Sequence, residues 1–204
     1  MTYYIGLTGT IASGKSTIAA YFKTLNIDVV NADDIAKTLT KPDTPVFKEI
    51  IRHVGSSVLN SQGELNRRYL RELIVQSPTE RLWLEGLLHP LIRERIQNEI
   101  TQCKTPYCMI EIPLLTDRLT YPYLNRVLLV TASRDSQIKR LMARDQCTND
   151  AASAMIDTSL IHEQARRAIS DDILVNDGNL TELKKRLSLL HKTYLELASK
   201  TLMS

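Results

Sequence analysis

The run Gly9-Thr10-Ile11-Ala12-Ser13-Gly14-Lys15-Ser16-Thr17 is the feature that most constrains this chain. It matches G-x-x-x-x-G-K-[ST], and it joins an apolar stretch, Tyr3–Thr8, to a helical pattern, Lys15–Leu25. A strand that turns through such a loop into a helix gathers backbone N–H groups at the helix N-terminus and forms an anion cradle. Gly9 and Gly14 allow backbone angles and close approaches that a Cβ blocks. Lys15 brings a positive charge to the β- and γ-phosphates, and the Ser16 hydroxyl is the hard oxygen that Mg²⁺ prefers. Residues 9–17 therefore read as a site for a nucleoside triphosphate and its magnesium. They do not name the group that receives the phosphate.

The rest of the pattern fits that loop. Tyr3–Thr8, Ile27–Val30, Tyr107–Ile112, Val127–Thr131 and Ile173–Val175 are short, apolar, strand-like runs separated by helical patterns. Continuous apolar strands suit a parallel sheet covered on both faces, so the chain reads as α/β with right-handed crossovers. Two stretches exceed a minimal sheet of this kind. Asp34–Pro106 is helical in pattern and broken by Pro42, Pro45, Pro78 and Pro90, which predicts a helical insertion. Arg134–Ile169 is polar and rich in Arg and Asp, and fits either a mobile lid or a pair of solvated helices. The leucine stripe from Leu180 to Leu197, opened by Asn179 and Glu182, is too short for a stable coiled coil and predicts a helix packed on the sheet.

Composition narrows the function classes. The 204 residues are 43% hydrophobic and 24% charged, as expected for one folded domain with insertions. A net charge of +3 suits a small polyanionic ligand and does not call for a nucleic-acid partner. Cys103, Cys108 and Cys147 show no metal-binding spacing and read as reduced thiols of a cytoplasmic protein. The first residues lack the basic and apolar regions of a signal peptide, and no apolar run approaches membrane-spanning length.

Candidate reactive groups follow the second strand. In Asn31-Ala32-Asp33-Asp34, a carboxylate beyond the strand's carboxyl end can orient or deprotonate an acceptor hydroxyl, or can cap the next helix. Position alone does not separate Asp33 from Asp34. Arg140 and Arg144 share a helix face, which fits either phosphate neutralisation or a solvated face paired with Asp135 and Asp145. Arg67, Arg68 and Arg71 fit an anionic acceptor or a plain surface. His89 precedes Pro90, a residue that often starts a helix.

Taken in order, Ile5–Thr17, Asn31-Ala32-Asp33, Leu87-Leu88-His89-Pro90-Leu91-Ile92, Ile112-Pro113-Leu114-Leu115, Gln137–Asp145, Ser170-Asp171-Asp172 and Asn176-Asp177-Gly178 resemble the dephospho-coenzyme A kinase family, from Tyr4 to about Lys200. The resemblance implies a three-layer P-loop NTPase core with a parallel sheet, from residues 1–33, 107–133 and 170–204. To it are added a helical insertion, 34–106, that takes the acceptor, and a lid, 134–169. It implies transfer of the γ-phosphate of ATP, with Mg²⁺, to the ribose 3′-hydroxyl of dephospho-coenzyme A. It implies Asp33 as the base, Lys15 and Arg140 at the phosphates, Arg144, Asn176 and Gly178 among the nucleotide contacts, and Arg67 and His89 at the acceptor. It implies a small-molecule enzyme of the cytoplasm, with no nucleic-acid or membrane partner, and leaves the oligomeric state open. The alternative is another P-loop kinase, such as a nucleoside monophosphate kinase. A regulatory switch GTPase lacks support, since no Asn-Lys-x-Asp signature is present.

Several residues depart from the usual family pattern. Thr10 and Ala12 replace glycines, Asn31 and Asn66 stand where aspartates are usual, and Leu160 stands where glutamine is frequent. If residue 12 adopts a positive φ, alanine there costs about 1 kcal/mol relative to glycine.

Overall fold

The computed structural model describes residues 2–201; Met1 and residues 202–204, which the expected core segments include, lie outside the described residues. The five apolar runs become β1 (Tyr3–Gly9), β2 (Asp28–Asn31), β3 (Tyr107–Glu111), β4 (Arg126–Thr131) and β5 (Asp172–Val175). They form one parallel sheet in the order β2-β3-β1-β4-β5. Its register pairs Leu7 with Glu111 on one side and with Leu128 on the other. The chain runs from β1 outward to β2, back to β3, then across β1 to β4. A crevice therefore forms at the carboxyl end of β1, where ligands bind in open α/β sheets.

Helix α1 (Lys15–Thr24) and the closing helix, α9 here (Leu180–Thr201), contribute to the main apolar cluster with the sheet, including Ile5, Leu7, Ile18 and Phe22. Tyr107 meets Phe22 and Tyr194 edge-on, with ring centroids 6.2 and 5.6 Å apart. These contacts put the leucine stripe on the sheet: Leu183 and Leu187 are buried, while Leu180 at the helix start is exposed. The expected cap is present, with Asn179 Oδ1 accepting from the Glu182 N–H at 2.9 Å.

The chain divides into two compact units, one from the residues up to Val30 and from Gln102 onward, the other from Asn31–Thr101. The second unit is helical: α2 (Ala32–Leu39), α3 (Pro45–Val54), α4 (Arg67–Gln76) and α5 (Pro78–Ile100), with a short 3-10 turn at Ser56–Val58. Its own core gathers Val46, Phe47, Ile50, Val58, Leu65 and Leu84. Local chemistry sets the helix starts. Asn31, Thr44, Asn66 and Ser77 cap the four helices through side-chain oxygens, and Pro45 and Pro78 open α3 and α5. Pro90 does not start a helix as its sequence context suggests. It lies inside α5, where its missing N–H deprives the carbonyl of Gly86 of a donor.

Within the first unit, residues 134–169 form three helices, α6 (Arg134–Asp145), α7 (Asn149–Leu160) and α8 (Glu163–Ile169). They are not merely a solvated pair: Leu141, Ala152 and Ile156 pack with Ile138, Cys147 and the side chains of Ile11 and Ala12. Among the described residues no helix is long and apolar enough to cross a membrane.

Candidate active site

The loop after β1 has the backbone that its sequence demands. Gly14 is left-handed at φ 96°, and a Cβ there would lie 2.3 Å from Asn176 Nδ2. A Cβ on Gly9 would lie 2.3 Å from the Val130 carbonyl oxygen. Both positions admit glycine alone. Ala12 is also left-handed, at φ 54°, so the replacement of glycine there does carry strain of about 1 kcal/mol.

Each carbonyl from Gly9 to Ser13 is bonded. Lys15 Nζ donates to Gly9 and Thr10, both at 3.1 Å. Gln137 Nε2 donates to the Ile11 carbonyl at 2.7 Å and to Thr10 Oγ1 at 2.8 Å. Arg140 donates to Ala12 and Ser13 at 3.1 and 3.3 Å, and Asn176 Nδ2 to Ser13 at 2.8 Å. In a trans peptide the N–H points opposite to the C=O. Tying the carbonyls of residues 11–13 to α6 and Asn176 therefore turns the N–H groups of Ala12 and Gly14 the other way, into the loop, while the Ser13 N–H closes a turn on the Thr10 carbonyl at 3.3 Å. At the start of α1 the side chains of Ser16 and Thr17 are exposed. The Ser13 hydroxyl is buried beside Gly9 with no hydrogen-bond partner among the described residues. This is a preformed anion site with oxygen and ammonium groups at hand.

The predicted arginines separate. Arg140 is on the loop, and its other terminal nitrogen, Nη2, donates to the Asn176 carbonyl at 2.7 Å. Arg144 is not brought to the loop. It makes a two-point pair with Asp145 at 2.8 Å, which raises its pKa through the carboxylate, and so fits the solvated-face alternative. Asn176 acts here as a buried brace of Ser13, and Gly178 lines a small cavity with Val175 and Leu183. Leu160, Thr10, Gln137, Thr131 and Asp177 line a larger cavity of about 370 Å³ beside the loop.

The helical unit holds the other candidates. Asn31 Oδ1 caps α2, accepting from the N–H groups of Asp33 and Asp34 at 2.8 and 3.1 Å. Neither aspartate is therefore needed as the cap. Asp34 pairs with Lys37 at 2.8 Å, while the Asp33 carboxylate is exposed with no partner among the described residues. That contrast separates the two residues where position did not. Arg67 donates to Thr40 Oγ1 at 3.2 Å, and His89 is exposed on α5.

Sequence reasoning missed three parts of the site. Ser159 on α7 reaches the loop with its hydroxyl oxygen, which accepts the Ile11 N–H at 3.1 Å; no sequence signal marks it. Asp177 accepts the Ser133 N–H at 2.7 Å at the start of α6, and this bond holds its carboxyl below the usual range. Glu111 is a buried carboxylate at the carboxyl end of β3, one strand from the loop; a lone acid closing an apolar strand was its signal.

The family model for dephospho-CoA kinase matches residues 3–182. The chain belongs to the dephospho-CoA kinase family. A dephospho-CoA kinase of Legionella pneumophila (strain Lens) is 50% identical over 195 residues, 96% of each chain. A solved Thermus thermophilus structure superposes with a TM-score of 0.77 at 28% identity, covering 94% of this chain and 97% of the other. A shikimate kinase from Bacteroides thetaiotaomicron shares the fold at a TM-score of 0.56 and 14% identity, over 94% of this chain and 97% of its own. Family membership, not fold, therefore carries the choice of acceptor.

Proposed function

We propose that the protein transfers the γ-phosphate of ATP to the ribose 3′-hydroxyl of dephospho-CoA, giving CoA and ADP. The observation that carries this reading is a preformed phosphate loop in a chain that the dephospho-CoA kinase family spans almost end to end. Phosphoryl transfer is catalysed by positioning and by balancing charge on the equatorial oxygens. The inward N–H groups and Lys15 hold the β- and γ-phosphates. Arg140, seated on the loop carbonyls, braces the loop and adds a second positive charge behind it. Asp33, whose carboxylate is uncommitted, orients the acceptor hydroxyl and takes its proton. The helical unit takes the acceptor, with Arg67 and His89 at its binding surface, and α6–α8 close as a lid that excludes water.

The donor set fits Mg²⁺. No cluster of three or more His, Cys, Asp or Glu residues forms a metal cage among the described residues. Mg²⁺ typically keeps several waters and takes one or two protein oxygens plus phosphates. The Ser16 hydroxyl supplies such an oxygen, and the ion supplies charge neutralisation at the phosphates. The same reading places the protein in the cytoplasm, where its three thiols stay reduced.

The test is ADP release by the purified protein with ATP and Mg²⁺, with and without dephospho-CoA, and identification of the product. Acceptor-dependent release with CoA formed is expected. Release without acceptor points to an NTPase, and turnover of nucleoside monophosphates instead overturns the choice of acceptor.

A further inference from the structure

We propose that Gln137 and Ser159 are positioning residues of the phosphate loop: together they hold both polar groups of Ile11 and so keep Ala12 in its left-handed conformation. The proposal rests on the nucleotide-binding reading of the loop and goes beyond it.

Two successive peptide planes meet at Ile11. The plane before it carries the Thr10 carbonyl and the Ile11 N–H, held by Lys15 Nζ at 3.1 Å and by Ser159 Oγ at 3.1 Å. The plane after it carries the Ile11 carbonyl and the Ala12 N–H, and Gln137 Nε2 fixes that carbonyl at 2.7 Å. The orientation of this second plane relative to Ala12 is the φ angle of Ala12. At φ 54° a residue with a Cβ is strained, and it stays there only where its surroundings over-determine it. Gln137 is placed to supply that constraint. It is buried, and its second bond, to Thr10 Oγ1 at 2.8 Å, needs the threonine that replaces a glycine at that position. Ser159 is itself backed: buried Arg166 donates to its carbonyl at 3.1 Å. The Ile11 and Ala12 side chains pack with Leu141, Ala152 and Ile156, so the apolar contacts hold the loop on the same side as the polar ones.

A glycine at position 12 would hold the left-handed angle without help. Alanine and its clamp therefore form one device. The carbonyl that Gln137 fixes is rigidly joined to the Ala12 N–H, which has to face phosphate. Losing the clamp lets Ala12 relax toward negative φ and turns that N–H out of the cradle. The expected defect is in nucleotide affinity, with the chemical step largely kept.

The experiment measures ADP affinity by calorimetry without any acceptor, and ATP KM and kcat separately. The calorimetric result stands whatever the acceptor proves to be. Gln137→Leu should weaken ADP binding and raise the ATP KM about tenfold, with kcat at saturating ATP changed about threefold or less. Ser159→Ala should act in the same direction, about threefold. Adding Ala12→Gly to Gln137→Leu should restore most of the lost affinity, a rescue that a merely structural role for Gln137 does not predict. Unchanged affinity in Gln137→Leu, or a loss that Ala12→Gly leaves in full, overturns the proposal. If Gln137→Leu does not fold, Ser159→Ala with and without Ala12→Gly decides it by the same criteria.

Discussion

In the phosphate loop, five consecutive carbonyls are each held by a side chain, and the residues that hold them are buried or half-buried. In the helical unit, α4 buries no residue at all, and Arg67, Arg68 and Arg71 along it are exposed. Arg67 makes one bond, to Thr40, and Arg68 pairs with Glu72 one turn on. The first region builds its ligand site from backbone, which is fixed once the fold forms. The second offers long solvated side chains, each of which loses rotamer freedom when a ligand orders it. The nucleotide site is thus pre-organised, whereas the candidate acceptor residues are left to be ordered by what binds.

The sharpest way to break this contrast is Lys15→Ala. It removes the ammonium that rests on the Gly9 and Thr10 carbonyls, and phosphoryl transfer should fall about a thousandfold or more. Retained turnover would show that the backbone alone carries the phosphates. Asp33→Asn should lower kcat roughly a hundredfold or more while ADP affinity, measured by titration, stays put. Near-normal kcat would remove Asp33 as the base. A smaller effect is expected from Arg67→Ala, with the acceptor KM rising about tenfold and nucleotide affinity unchanged. If both affinities fall together, the division between a built and an unbuilt site is wrong.

The smallest effect concerns Asp28, just before the chain leaves the first unit, bonded to Lys104 and Thr105 just after it returns. Burial works to raise its pKa, but the N–H groups of Lys104 and Thr105 and the Thr105 hydroxyl outweigh it and hold the carboxyl below its usual range. The unfolded chain then binds more protons than the folded one across that window. The stabilisation is complete above the usual carboxylate range and is lost as pH falls through the folded pKa. Asp28→Asn should lower Tm by about 2–4 °C at pH 7, and the gap from the parent should close in acid. A gap that persists at low pH would assign the effect to packing instead of charge.

Much of this was legible in the residues. The five strands are short apolar runs, and period and length mark them without tertiary help. The cap of α9 at Asn179 and the phosphate loop are local signals read from a few neighbouring residues. Pro90 was not legible, because a proline inside a long helix and one at a helix start look alike until the flanking turns are seen. Arg140 and Arg144 share a face and a spacing, yet one reaches the loop and the other closes on Asp145. Rotamer and neighbour decided between them.

The sequence by itself determined that a glycine-framed loop follows a buried strand and opens a helix, since those backbone angles and hydrogen-bond patterns are set within some twenty residues. Only the tertiary structure decided what keeps that loop in shape. Gln137, Ser159 and Asn176 lie more than a hundred positions from the carbonyls and N–H groups they hold. A contact of that separation exists only after the sheet has ordered its strands and brought α6, α7 and the turn after β5 beside β1.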